Sequence, residues 1–139
     1  MYLSYEEYLN YGGTLDRVTF NNYVFEAEAI INYYTFNRLM NDKTVSQSVK
    51  QLTYVLINIA QKKASALALG MSNSTESNTG VYITRQSNDD VDTTYNSMSA
   101  ANLFNLCKSE ANQAIRRYLN NITNEAGHKV TYRGLYPGE

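Results

Sequence analysis

The stretch Thr44-Val45-Ser46-Gln47-Ser48-Val49-Lys50-Gln51-Leu52-Thr53-Tyr54-Val55-Leu56-Ile57-Asn58-Ile59-Ala60, continuing through Gln61-Lys62-Lys63-Ala64-Ser65-Ala66-Leu67-Ala68-Leu69, marks this chain as helical. Val45, Val49, Leu52, Leu56 and Ile59 recur at three- and four-residue steps, with Ala66 further on, which is the period of one helix face. Val55, Ala60 and Leu67 widen the stripe, as expected of a central, buried helix. Thr44 and Gln47 have capping-box spacing and Gly70 supplies a stop, so a helix is expected over 44–69. Lys62-Lys63 reads as a solvated turn near the negative end of its dipole rather than as an anion patch.

Upstream of this helix, the chain carries Phe20, Val24, Ala27, Ile31 and Tyr34 in alternating steps of four and three, with Tyr23 and Ile30 widening the stripe. A helix over about 19–38 is expected, capped by Asp16 or Thr19, with Arg38 placed to neutralise its last carbonyls. Nearer the N-terminus, Ser4 and Glu7 form a second capping-box pattern, so a short helix over 4–11 is expected to stop at Gly12-Gly13. Tyr2, Tyr5, Tyr8 and Tyr11 recur every three residues, an aromatic stripe that packs either on its own domain or on a neighbouring chain. On the downstream side Ser97 or Ser99 opens a last helix, over about 99–124, marked by Leu103, Cys107, Ala111, Ala114 or Ile115, Tyr118 and Ile122. Gly127 is its expected stop.

Two segments do not fit the helical pattern. Residues 70–99 are dense in Ser, Asn, Thr and Asp, an excursion too long for an ordinary connection in a compact domain. Val81-Tyr82-Ile83 and the weaker run from Asp92 to Asn96 favour extended backbone, with the turn-rich Gln86-Ser87-Asn88-Asp89-Asp90 between them, so a hairpin-like finger is expected. Residues 127–139 form an extended arm containing Val130, Tyr132, Leu135 and Tyr136. That arm is too apolar to be indifferent to water, and either folds back on the body or adds to another subunit. The fold class expected is therefore mainly α, a small helical bundle with a long inter-helix excursion and an extended C-terminal arm, in one domain over 1–139.

Composition narrows the function. Twelve Lys and Arg against thirteen Asp and Glu give a net charge of -1, which argues against a protein that lives by neutralising phosphates. Thirteen tyrosines and four phenylalanines accompany no tryptophan and one proline. Tyrosine suits surfaces that are wet at one moment and covered at another, so the composition leans towards an interaction protein. No apolar run reaches membrane-spanning length, and Tyr5-Glu6-Glu7-Tyr8 is unlike a signal peptide, which points to a soluble protein made in a cytoplasm. The lone Cys107, among Leu103, Leu106 and Ala111, reads as a small core residue.

Catalytic chemistry is not evident. The single histidine, His128, has no second histidine or cysteine pair to complete a zinc site, Cys107 has no base partner, and no phosphate-cradling glycine pattern is present. Asp89, Asp90 and Asp92 alternate oxygen ligands but lack the glycine and distal glutamate of a calcium loop, so a solvated turn is the favoured reading. No cofactor or metal is expected.

The order of features resembles the head-tail connector, or head-completion adaptor, proteins of tailed bacteriophages. The residues concerned are Tyr5-Glu6-Glu7-Tyr8 with Gly12-Gly13-Thr14-Leu15-Asp16, then Phe20, Ala27, Ile30-Ile31 and Thr35-Phe36-Asn37-Arg38. Ile83, Ser87-Asn88-Asp89 and Thr94-Tyr95 come in the middle, with Tyr118-Leu119 and Val130-Thr131-Tyr132-Arg133-Gly134 near the end. Asn32, where an acid is frequent in that family, and Asp89-Asp90, where a glycine is common, depart from the pattern.

The resemblance implies a virion protein, synthesised in the host bacterial cytoplasm, whose subunits form a ring, typically twelve-fold. Such a ring sits beneath the portal vertex, extends the DNA channel without binding DNA specifically, and receives a downstream head-completion or tail protein. On this sequence Val130, Tyr132, Arg133, Leu135 and Tyr136 would face the portal, and Tyr82, Ser87, Asn88, Asp89, Asp90 and Tyr95 the channel or the downstream partner. A stopper or tail-completion ring at the same interface is the alternative. A small helical regulatory or nucleic-acid-binding module is more distant, since it needs a basic face and only Arg116-Arg117, Lys62-Lys63 and Lys108 gather positive charge. The solvated-turn reading predicts that replacing Asp89, Asp90 and Asp92 with Asn leaves the melting temperature unchanged with or without calcium. A calcium-dependent rise in the unmodified protein would restore the metal reading.

Overall fold

The computed structural model describes residues 1–72, 81–83 and 97–137. Four helices run through them: α1 (Tyr5–Asn10), α2 (Arg17–Thr35), α3 (Gln47–Ser72) and α4 (Ala100–Leu119). Two three-residue strands, β1 (Val81–Ile83) and β2 (Ser97–Ser99), pair antiparallel with Tyr82 opposite Met98. The fold is thus mainly helical, a small bundle. Packing resolves it into two compact units, residues 1–58 with 111–139, and residues 59–110. No helix among the described residues is long and apolar enough to cross a membrane.

The first unit holds the core. α1 begins as its sequence dictates: Ser4 Oγ accepts the Glu7 amide, and the Glu7 carboxylate accepts the Ser4 amide at 3.0 Å. Lys50 also ion-pairs with Glu7, and its hydrogen bond, with that from Ser4, holds the Glu7 carboxyl below the usual glutamate range. The helix closes in a Schellman turn, with the Gly12 amide on the Leu9 carbonyl and the Gly13 amide on the Tyr8 carbonyl. Gly12 needs its positive φ of 88° there, and a Cβ on Gly13 would enter the Tyr8 ring.

The tyrosine stripe packs on its own domain. Tyr8 is fully buried, with ring centroids 4.9 Å from Phe20 and 5.8 Å from Tyr54, and its hydroxyl accepts the Thr14 and Leu15 amides at 3.2 and 3.3 Å. Tyr11 meets Tyr54 edge-on, and Tyr5 donates to the Leu15 carbonyl at 3.1 Å. Of the two cap residues open for α2, Asp16 is used, accepting the Val18 and Thr19 amides. Those hydrogen bonds, from Thr19 first, hold its carboxyl below the usual aspartate range.

Phe20, Val24, Ala27 and Ile31 fill the core, as the spacing predicts. Tyr34 does not: Thr35 is the buried residue at that end, made tolerable there because its hydroxyl donates to the Ile31 carbonyl at 2.9 Å. Tyr34 turns outward and donates to Asn112 instead. Val49, Leu52, Leu56 and Ile57 of α3, Ala114, Ile115 and Leu119 of α4, and Val130 complete the cluster.

Several boundaries differ from those expected. α2 stops at Thr35 rather than 38, because Phe36 and Asn37 take left-handed backbone, with φ of 53° and 60°. α3 starts at Gln47, not Thr44. The expected capping pair is separated because Thr44 donates to Glu125 while the Gln47 side-chain amide reaches the Tyr11 hydroxyl, and Ser46 accepts the Val49 amide. At its other end α3 passes through Gly70 to Ser72. α4 stops at Leu119, and Gly127, with φ of 79°, belongs to a later turn.

In the second unit α3 and α4 each contribute a segment alongside the strand pair. Ser97–Ser99 is strand rather than helix start, and the expected second extended run, Asp92 to Asn96, lies outside the described residues. Cys107 is a buried free thiol. The Lys63 ammonium sits 4.6 Å from the centre of the Phe104 ring, so it covers an aromatic face in mid-helix rather than ending a dipole.

The N-terminal tyrosine gives the core a pH signature. Tyr2 is buried, donates its hydroxyl to Asn32 and its amide to Glu28, and its phenol is pushed up to about 12 by burial and by the Glu28 and Asp42 carboxylates. The unfolded phenol ionises near 10.0 while the folded one stays protonated, so this contribution is complete below pH 10 and drains away as pH approaches 12. Alkaline unfolding monitored by circular dichroism should therefore steepen above pH 10, and Tyr2→Phe should remove part of that slope.

Candidate docking surface at the C-terminal segment

After α4 the chain does not leave the body. The Val130 amide bonds the Ile122 carbonyl at 3.1 Å, Thr123 and Lys129 form an antiparallel bridge, and the intervening turn is closed by the Asn124 amide on the His128 carbonyl. Asn124 Oδ1 also accepts the His128 amide at 2.8 Å. The same turn is docked sideways, because Glu125 accepts the Thr44 amide and hydroxyl at 2.9 and 3.0 Å and its own amide reaches Asp42. Val130 then enters the core and is completely buried.

Arg38 fastens the backbone beyond Val130. Its guanidinium donates to the Tyr132 carbonyl, to the Gly134 carbonyl at 2.7 Å and more weakly to the Lys129 carbonyl at 3.5 Å. The planar fork suits this, since several carbonyls converging from one irregular segment need donors at fixed angles. The guanidinium carbon also lies 5.1 Å from the Tyr136 ring centre and 5.4 Å from that of Phe36. Tyr136 stacks on His128 with centroids 4.0 Å apart and planes 4° from parallel, and its hydroxyl accepts the Lys129 amide. Arg38 therefore does not cap α2, as its position suggests. The left-handed turn at Phe36-Asn37 carries it past the helix end and onto the C-terminal backbone.

The five residues expected to face the portal separate into distinct roles. Val130 is an internal anchor and Tyr136 is half-buried in the stack. Tyr132, Arg133 and Leu135 are exposed, Leu135 by 83 %. A clamped backbone thus displays an aromatic, a cation and a leucine within four residues of one another. Of the two courses open to the arm, it takes the first and folds back on the body. Tyr82 lies in β1, while Ser87, Asn88, Asp89, Asp90 and Tyr95 fall outside the described residues.

A second exposed surface is not among those expected from the sequence. Val18, Phe25 and Tyr33 are 72 %, 73 % and 77 % exposed, and their spacing of seven and eight residues puts them on one face of α2, opposite the core stripe. Their spacing is the signal, but core-directed and outward apolar residues share one helix and only packing separates them. Among the described residues no three His, Cys, Asp or Glu side chains gather as metal ligands. No family model, curated protein or solved structure matches the chain.

The clamp makes a local prediction. Arg38→Ala should destabilise the fold by about 1.5–3 kcal/mol, the scale of charge-assisted hydrogen bonds to backbone carbonyls. Hydrogen exchange at the Lys129 and Tyr132 amides should accelerate more than in α1. Arg38→Lys should restore only part of the protection, because an ammonium cannot reproduce the fork.

Proposed function

We propose that this protein is a structural ring subunit of the head-tail interface of a tailed bacteriophage, a head-tail connector that joins the portal vertex to the next completion or tail protein. The observation that carries the reading is the outward face of α2. Val18, Phe25 and Tyr33 are each about three-quarters exposed on a helix whose opposite face already fills the core. Large apolar side chains lined up on an outer face belong to a surface that another chain covers. In a ring, that chain is a second copy of the subunit.

The C-terminal segment supplies a second surface, directed to the portal through Tyr132 and Leu135, with Val130 and Arg38 as its internal supports. Exposed apolar side chains on both α2 and the C-terminal segment suit a part with lateral and axial neighbours. The sequence order resembling the connector family, and a net charge of -1 that suits a conduit better than a DNA clamp, support the same assignment. The role is assembly, without catalysis: binding energy comes from covering apolar surface, less the cost of ordering what each partner must hold still.

Mixing the protein with its phage's portal and imaging by electron microscopy should reveal a ring added to the portal. Phe25→Asp should abolish ring closure while leaving the helical circular dichroism intact. Leu135→Asp should weaken portal attachment at least about tenfold, which corresponds to about 1.4 kcal/mol of lost burial. Retained rings and attachment in both variants, or tight salt-sensitive DNA binding by the isolated protein, would overturn the reading.

A further inference from the structure

Between α2, α4 and the segment after Val130 lies a cleft of about 1230 Å3, larger than sites built for small molecules and long enough in volume for a stretch of chain. Its polar lining is one-sided. Arg116 and Arg133 stand with the side-chain amides of Asn32, Asn37, Asn112 and Asn120, and among the described residues no carboxylate lines it. Neither arginine makes a hydrogen bond or ion pair among the described residues. Asn32 and Asn112 each spend the amide oxygen on a tyrosine hydroxyl, from Tyr2 and Tyr34, which leaves their NH2 ends as donors. The cleft is therefore rich in donors and positive charge, and its complement is a ligand of acceptors and carboxylates.

Two cations cannot hold a polyanion by counterion release, whereas planar guanidiniums pair bidentately with single carboxylates and amides match the peptide groups of an extended chain. Tyr33, Phe36 and Ile115 add apolar wall for an aliphatic side chain between the acids. The densest acidic run of this sequence has that composition: Asp89-Asp90-Val91-Asp92, preceded by Asn88. We propose that the cleft receives residues 88–92 of a second copy of the chain. The choice of a second copy rests on the ring proposed as the function. Because the cleft and the acidic run are different parts of the chain, their pairing is head-to-tail, the kind of contact that propagates around a ring.

The full-length 15N-labelled protein is titrated with a synthetic peptide spanning residues 86–96, with the same peptide carrying Asn at 89, 90 and 92, and with a single-stranded oligonucleotide of equal length. Expected are shifts in the Arg116 and Arg133 Nε and Asn112 and Asn120 Nδ2 resonances with the acidic peptide. Binding should weaken about tenfold with the Asn peptide, and by a similar factor when Arg116→Gln and Arg133→Gln are combined. Absence of these shifts, equal binding of both peptides, or preference for the oligonucleotide overturns the assignment. Imaging with portal separates the two readings. Rings that form although the peptide does not bind remove the cleft pairing alone, and peptide binding without rings removes the ring reading while the cleft remains a site for acidic peptide.

Discussion

One buried phenol holds the first unit together. Tyr8 is a wholly buried aromatic that touches α2 through Phe20 and α3 through Tyr54, and its hydroxyl satisfies two loop amides that would otherwise be left without partners. The Gly12-Gly13 turn exists around it, one glycine for its backbone angle and the other because the ring leaves no space for a Cβ. A six-residue helix is far too short to persist on its own. It persists because its tyrosines are the surface on which two longer helices meet.

Arg38 does the equivalent for the C-terminal segment. An irregular stretch of backbone has carbonyls pointing in several directions and no ladder to absorb them. A guanidinium placed among them converts that weakness into a fixed conformation, with Val130 as the apolar pin and the His128–Tyr136 stack as a cover. Leu135 and Tyr132 are consequently presented from an ordered base. A presented apolar side chain costs a partner less ordering entropy than one on a loose tail, which favours the proposed role in assembly.

The proposed interfaces divide by chemistry. The α2 face is apolar and suits burial against a different apolar patch of the neighbouring copy, while the cleft bounded by Arg116 and Arg133 is polar and selects by charge. Apolar contact gives strength without direction, and charge pairing gives register. A ring needs both, because subunits that attach without a defined angle do not close.

The helices and most of the core are legible along the chain, because helical period, capping pairs and apolar steps are local properties: Phe20, Val24, Ala27 and Ile31 are buried as spaced, and Ser4 caps with Glu7 as its spacing requires. Equally legible are the near balance of charge and the excess of tyrosine. Packing between distant residues settled the places where competing local signals lost. Thr44 left its capping box because Glu125, distant in sequence, bound it instead, and α2 ended early because a left-handed turn let Arg38 reach the carbonyl of Gly134, 96 residues away. The same packing selected which apolar residues of α2 face outward, and settled the C-terminal arm into a clamped fold-back, one of the two courses its apolar content left open. Such choices depend on what stands opposite a residue in space, and no period or spacing along the chain encodes that.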